Sequence, residues 1–227
     1  SPNYARTSET LLRHRERVAV IPLALGEREP PPSARVEEWR QRVGSGFSLF
    51  VGSARYYKGL PFLVEAARQT GLPVVIAGAA EPSAFAGLAI PPHVRLVGAV
   101  SEEDKECLLD LCRAFVLPSH LRSEAFGVVL LEAARAGRAM ISCEIGTGTT
   151  YINLDGETGF AVPPADPARL GEAMLRLVQD EALAARLGAN ARARFSSLFR
   201  AETMCEAYLD LYRQVLQRHR IRDRTGG

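Results

Sequence analysis

No apolar run in this chain approaches the roughly 20 residues needed to span a bilayer, and no signal peptide opens it. Charge of one sign is lacking too: 28 basic and 26 acidic side chains leave a net charge of +2. No bulk field therefore draws nucleic acid or a membrane surface, and any anion site must be local. No RNA-recognition aromatic set or basic stripe appears, so a nucleic-acid partner is not expected. Only four cysteines are present, Cys107, Cys112, Cys143 and Cys205. They lack the paired spacing of a zinc site and read as buried reduced thiols in a reducing, cytoplasmic compartment. The single Trp39 reads as a packing residue on an early helix. Disorder is excluded, because 47% of the 227 residues are hydrophobic, enough for one domain with a substantial core. The chain opens on Ser1 rather than Met, and SPNYARTSETL reads as the middle of a protein, so a fragment is expected.

Short apolar strands alternate with helical patterns from residue 47 onward. Strands are expected at 47–51, 73–76, 94–97, 114–117, 139–143 and 159–162, with helices at 34–43, 60–69, 102–112, from about 126, 167–179, 180–193 and 201–216. An Ala/Pro/Gly-containing loop joins the second and third strands. Ahead of them, residues 18–23 read as a further strand, and Pro30, Pro31 and Pro32 mark an exposed connection. Ser101 caps a helix with Asp104 three residues on. This alternation predicts an α/β fold, a Rossmann-like parallel sheet with helices on both faces. Such sheets bind ligands outside the carboxyl ends of their strands. That directs attention to the loops at residues 52–59, 98–101, 119–125 and 143–150.

The stretch VLPSHLRSEAFGVVLLEA, residues 116–133, organises the rest. Glu124 and Glu132 bracket a helix start with seven residues between them. If Glu132 lies two turns into the helix, the carboxylates stand roughly 12 Å apart along the axis. That exceeds the roughly 5 to 9.5 Å of a glycoside-hydrolase pair and suits a long ligand with hydroxyls at both ends. Between them, Gly127 allows close backbone approach, and the free amides of the first turn favour an anion. The bland alternative is a cap-region acid and a surface acid on an amphipathic helix. Yet Glu132 sits within VVLLEAA, where a carboxylate is either near a rim or bound to something.

The loop GSARYYKG carries Arg55 and Lys58, which can hold two phosphates or can simply line a solvated turn. It is neither GxxxxGK[ST] nor GxGxxG, which weakens nucleoside-triphosphatase and dinucleotide readings. The glycine-rich GTGTT at Gly146 is equally a turn opening a helix or a ligand contact. His120 lacks a nucleophile and partner acid around it and reads as a loop or supporting residue. His14, His93 and His219 lie in polar surroundings.

Taken together, Glu124-Ala-Phe-Gly-Val-Val-Leu-Leu-Glu132, RYYKGL, PSHLRSEAFG and SCEIGTGTTYIN resemble glycosyltransferase family 4, in particular its bacterial O-antigen mannosyl- and D-rhamnosyltransferases. The opening SPNYARTS followed by VIPLALG is similar to the crossing between the two domains of such enzymes. The resemblance implies one half of a GT-B, retaining glycosyltransferase, with residues 1–22 as interdomain linker and first strand, 23–217 as the nucleotide-sugar donor-binding domain and 218–227 as a loose tail. It implies that Lys58 and Arg55 neutralise the donor diphosphate and that Glu124 contacts the transferred sugar. The amides at Phe126, Gly127 and Val128 hold phosphate or sugar, Glu132 binds the ribose, and Val100 and Lys105 border the base. Many members carry Arg directly after the first strand's glycine, where this chain has Ser53, and the carboxylate common after the glycine turn is replaced by Thr149, Thr150 and Tyr151.

The partners implied are a nucleotide-sugar donor, with a GDP-sugar favoured, and an N-terminal acceptor domain not found in this chain, through which the full-length protein can meet the inner membrane face. No cofactor and no metal are expected. Competing readings are a UDP-sugar-using transferase or epimerase and a non-catalytic nucleotide-binding module.

Overall fold

A computed structural model describes residues 1–78, 85 and 87–225, with side chains to residue 217. Six strands are seen: β1 (Ser48–Val51), β2 (Val74–Ala77), β3 (Val94–Gly98), β4 (Ala114–Leu117), β5 (Ala139–Cys143) and β6 (Gly159–Val162). The helices in chain order are α1 (Pro2–Thr7), α2 (Glu9–Arg13), α3 (Ser33–Val43), α4 (Leu60–Thr70), α5 (Glu102–Leu111), α6 (Val128–Arg135), α7 (Thr149–Ile152), α8 (Pro167–Gln179), α9 (Glu181–Leu198) and α10 (Ala201–Thr225).

The strands form one sheet in the order β3-β2-β1-β4-β5-β6, every pairing parallel. The apolar runs SLFV, VVIA, AFVL and AMISC are buried at every position. Continuous burial of this kind requires cover on both faces, which the helices supply, α3 packing on α5, α4 on α8 and α6 on α9. At the edge, β3 exposes Arg95 and Leu96. From β1 the chain winds outward through β2 to β3, then returns to place β4 on the other side of β1. The reversal makes β1/β4 the topological switch point, where loops diverge and leave a crevice for a ligand.

Several boundaries differ from the sequence reading. Residues 18–23 form no strand: Val20 and Leu23 are exposed, and only an isolated bridge between Leu25 and Arg200 follows. An apolar run becomes a strand only where a neighbour offers backbone partners, and none reaches this segment among the described residues. The first seventeen residues instead make the short helices α1 and α2 and a 3-10 turn. The tail expected to be loose from residue 218 is helical as far as Thr225, continuing α10. Residues 79–84 and 86, in the Ala/Pro/Gly loop, and 226–227 lie outside the described residues. Three cysteines are buried as expected, with burial pushing the thiols of Cys107, Cys112 and Cys143 up to about 11, 12 and 12. Cys205 is exposed on α10, correcting the reading of a fourth buried thiol.

Asp104 docks α3 onto α5. It accepts from Arg35 Nε at 2.7 Å and from the indole Nε1 of buried Trp39, also at 2.7 Å. The Arg35 guanidinium lowers its carboxyl to about 2, against burial, with the Trp39 and Ser101 donors assisting. The unfolded chain takes up this proton near the ordinary aspartate value of 3.8, the folded one only near 2. Stability is therefore present above pH 4 and is lost as pH falls through that window. Urea midpoints measured between pH 5 and 2 should fall more steeply for the native chain than for Asp104→Asn.

Gly59 closes the 3-10 turn Tyr56–Lys58 with φ 70°, and a Cβ there would stand 2.1 Å from the Pro118 carbonyl oxygen. Gly59→Ala combines left-handed strain of about 1 to 2 kcal/mol with overpacking of about 1 to 3 kcal/mol. Chemical denaturation should show a loss of about 2 to 5 kcal/mol; a loss below about 0.5 kcal/mol would contradict this contact.

Candidate functional site at the carboxyl edge of the sheet

The loops after β1 and β4 meet at the switch point. The His120 amide donates to the Tyr57 carbonyl at 2.9 Å, and the close approach of Gly59 to Pro118 fixes the same junction. Across it, Lys58 Nζ reaches Glu124 Oε2 at 2.5 Å, the two side chains being 11% and 10% exposed. Ser119, fully buried, donates its hydroxyl to that same oxygen at 3.0 Å. Desolvation on this scale is tolerable because each charge faces its opposite and the carboxylate has a second donor.

The helix that follows begins later than expected, at Val128 rather than about 126. Gly127 caps it with φ 83°, and no side chain caps its first turn. A Cβ on Gly127 would approach Leu117 and Leu130 side chains at 3.1 and 3.2 Å. Gly148 of the GTGTT segment packs against the Phe126 backbone, where a Cβ would meet Cα at 2.7 Å, and its amide donates to the Ala125 carbonyl at 3.0 Å. The glycines of GTGTT thus let a second loop close against the start of α6.

Glu132 stands four residues after Val128, one turn into the helix and about 6 Å along its axis, not the two turns first assumed. Its Oε1 accepts from Lys105 Nζ at 2.8 Å, and Lys105 also reaches Glu102 at 2.6 Å. Burial alone would lower the Lys105 pKa; the hydrogen bonds it donates to Glu102 and Glu132 outweigh burial and raise it. Val100, half-buried, immediately precedes the Ser101 cap of α5.

The expected site residues therefore fall into two ion-paired sets, Lys58 with Glu124 and Lys105 with Glu132. Arg55 is different: it is exposed at the N-cap of the 3-10 turn and makes no salt bridge among the described residues. His120 is held edge-on between Tyr56 and Phe62, each at 5.1 Å, with Nδ1 buried and without a partner among the described residues, and burial lowers its pKa. This is a packing position in the junction of the two loops.

Four features escaped the sequence reading. Ser119 and Glu102 are partners of the expected residues. Glu144 accepts from the Gly146 amide at 2.9 Å and from Thr150 Oγ1 at 3.2 Å, bracing the glycine turn. Finally, α1 docks on the site's rim, with Asn3 donating to Thr150, Thr7 Oγ1 to the Gly146 carbonyl at 2.7 Å, and Arg122 to Thr7 Oγ1 at 3.0 Å and to the Gly146 carbonyl at 3.1 Å. Only the i, i+3 spacing of Glu102 and Lys105 on one helix was available to signal any of these. Among the described residues, no cluster of three or more His, Cys, Asp or Glu side chains could hold a metal, and no helix is long and apolar enough to cross a membrane.

Comparison with known proteins places this arrangement. The family model "Glycosyl transferases group 1" matches residues 35–194. O-antigen chain mannosyltransferase C of Escherichia coli is 46% identical over 222 residues, covering 96% of this chain and 60% of that protein. D-rhamnosyltransferase WbpZ of Pseudomonas aeruginosa is 49% identical over 207 residues, covering 88% of this chain and 54% of that one. Among solved structures, the sucrose-phosphate synthase of Thermosynechococcus elongatus superposes with a TM-score of 0.80 at 26% identity, over 96% of this chain and 57% of that chain. This chain thus spans a little over half the length of the proteins it matches. With the six-stranded parallel sheet and its two carboxylate–lysine sets, these matches show that the chain belongs to the group 1 glycosyl transferases and has the fold of one half of a GT-B enzyme.

Proposed function

We propose that this chain is the donor-binding half of a retaining, family 4 hexosyltransferase that moves a mannose or D-rhamnose-like sugar from a GDP-sugar to a lipid-linked or polysaccharide acceptor. The observation that carries the proposal is the pairing of each carboxylate of the E-x7-E segment with its own lysine on the carboxyl edge of the sheet. Residues 1–22 are the linker to a preceding acceptor domain, and residues 23–217 bind the donor. The shares of O-antigen chain mannosyltransferase C and WbpZ covered, 60% and 54%, leave room for such a domain. The full-length enzyme then works on the cytoplasmic side, meeting the inner membrane face through that domain.

In this reading Glu124 faces the transferred sugar, Glu132 the ribose hydroxyls, and Val100 with Lys105 the base. Lys58, Arg55 and the amides at Phe126, Gly127 and Val128 surround the diphosphate. As the glycosidic bond of the donor breaks, negative charge grows on the departing nucleoside diphosphate. Lys58, by moving from Glu124 to the diphosphate, together with Arg55 and the helix N-terminus, offsets that charge. Acceptor orientation and exclusion of water depend on the other domain, so the donor half alone is a binding module.

Calorimetric titration with GDP, UDP and ADP checks the donor class. GDP should bind most tightly, and Lys58→Ala should weaken it about tenfold or more, the scale of one lost charge-assisted hydrogen bond. Binding of none of the three nucleotides would overturn the site assignment. A radiolabelled GDP-mannose assay on the 227-residue chain should show no sugar transfer; robust transfer would contradict the division of labour between two domains.

A further inference from the structure

The buried pair at the switch point has a third member with no assigned role. Lys58 Nζ and Ser119 Oγ both donate to one oxygen of Glu124, Oε2, and Oε1 has no hydrogen-bond partner among the described residues. Ser119 follows Pro118 at the end of β4 and has no exposed surface, while Lys58 comes from the 3-10 turn of the other loop. The two donors are therefore held by different parts of the fold. One belongs to a group that a phosphate can recruit away, the other to a small side chain locked in the core.

We propose that Ser119 is the positioning residue that keeps the Glu124 carboxylate partnered and aimed when Lys58 transfers to the donor diphosphate. The inference rests on the reading of Lys58 and Glu124 as donor ligands. In the ligand-free protein Lys58 neutralises Glu124. A bound diphosphate competes for the same ammonium, and a buried carboxylate that loses its only donor is left with an uncompensated desolvation cost. The Ser119 hydroxyl removes that difficulty. It holds Oε2 while Oε1 stays available to accept from a sugar hydroxyl, so the exchange of partners by Lys58 leaves the carboxylate in place. Without Ser119, any ligand that takes Lys58 strands Glu124, and the cost is fullest for GDP, which brings no sugar hydroxyl to the carboxylate. A donor that carries a sugar returns a hydroxyl to it and recovers part of that cost.

The test is the ratio of dissociation constants for GDP and GDP-mannose, measured by calorimetry on this chain, with Glu124→Ala marking the ratio when no carboxylate is present. Ser119→Ala should weaken GDP by about threefold to tenfold, the scale of one hydrogen bond to a charged group, and GDP-mannose by less, moving the ratio away from the Glu124→Ala value. In the Glu124→Ala background it should add nothing, as expected of a residue acting through another. Ser119→Cys, nearly the same size with a weak donor, should fall between, and guards against a packing defect in the alanine variant. A ratio unchanged in both variants overturns the proposal, as does an equal loss of affinity for GDP and GDP-mannose, which is the mark of a merely structural serine. A wild-type chain that binds no GDP, or whose ratio equals that of Glu124→Ala, removes the underlying donor reading instead, and the proposal with it.

Discussion

The contact between Lys58 and Glu124 is the constraint on which the site's geometry depends. The two residues lie 66 positions apart and arrive from opposite sides of the switch point, one after β1 and one after β4. Neither charge could be so nearly buried alone. Their meeting fixes how far apart the two loops can stand, and the backbone repeats the instruction through the His120–Tyr57 hydrogen bond and the glycine contact at Pro118. A second pair does the same further along the edge, where Lys105 on α5 holds Glu132 on α6. Loops from three strands are thereby tied into one frame by two ion pairs and a few backbone contacts.

The segment ahead of β1 belongs to that frame. Arg122, two residues before Glu124, donates to Thr7 and to the Gly146 carbonyl and lies over the Tyr4 ring at 5.4 Å. One side chain thus connects α1, the loop after β4 and the glycine turn after β5. Glu144 secures that turn from beneath, and Thr150, which bonds Glu144, also accepts from Asn3. A stretch that reads in sequence as a polar, basic lead-in is bound to the rim of the site and ties together two of the loops that build it.

The degree to which this was legible in the residues follows from what each feature depends on. Strands β4, β5 and β6 were readable to the residue, because an apolar run between polar turns has one stable place in a parallel α/β sheet. The run at 18–23 has the same composition and failed, because composition records hydrophobicity and not whether a partner strand is adjacent. The start of α6 slipped by two residues: the left-handed Gly127 ends the irregular loop, and nothing in the pattern of apolar positions reports a φ angle. Glu124, Glu132 and Lys58 stood out singly by their surroundings. Their pairing did not, since it depends on strand order, and β1 and β4 become neighbours only after two intervening strands are wound away. Ser119 is the extreme case. A lone serine after a proline carries no signal until the fold brings a carboxylate to it.

Charge arithmetic at the site bears on how a nucleotide-sugar would be selected, on the function proposed above. Lys58 and Lys105 face Glu124, Glu132 and Glu102, so the paired set carries two positive and three negative charges and offers no surplus of positive potential. Arg55 and the uncapped amides of α6 supply what attraction for an anion there is. A free diphosphate therefore gains little from the field alone, and must take Lys58 from a carboxylate that is then left with Ser119 as its one donor. A ligand carrying hydroxyls beside its phosphates meets both requirements together, its phosphate accepting from the lysine while its hydroxyls donate to the released carboxylate. An inorganic anion meets only one. Discrimination in such a site comes from the exchange of partners, because a group that merely adds charge leaves a buried acid one donor short.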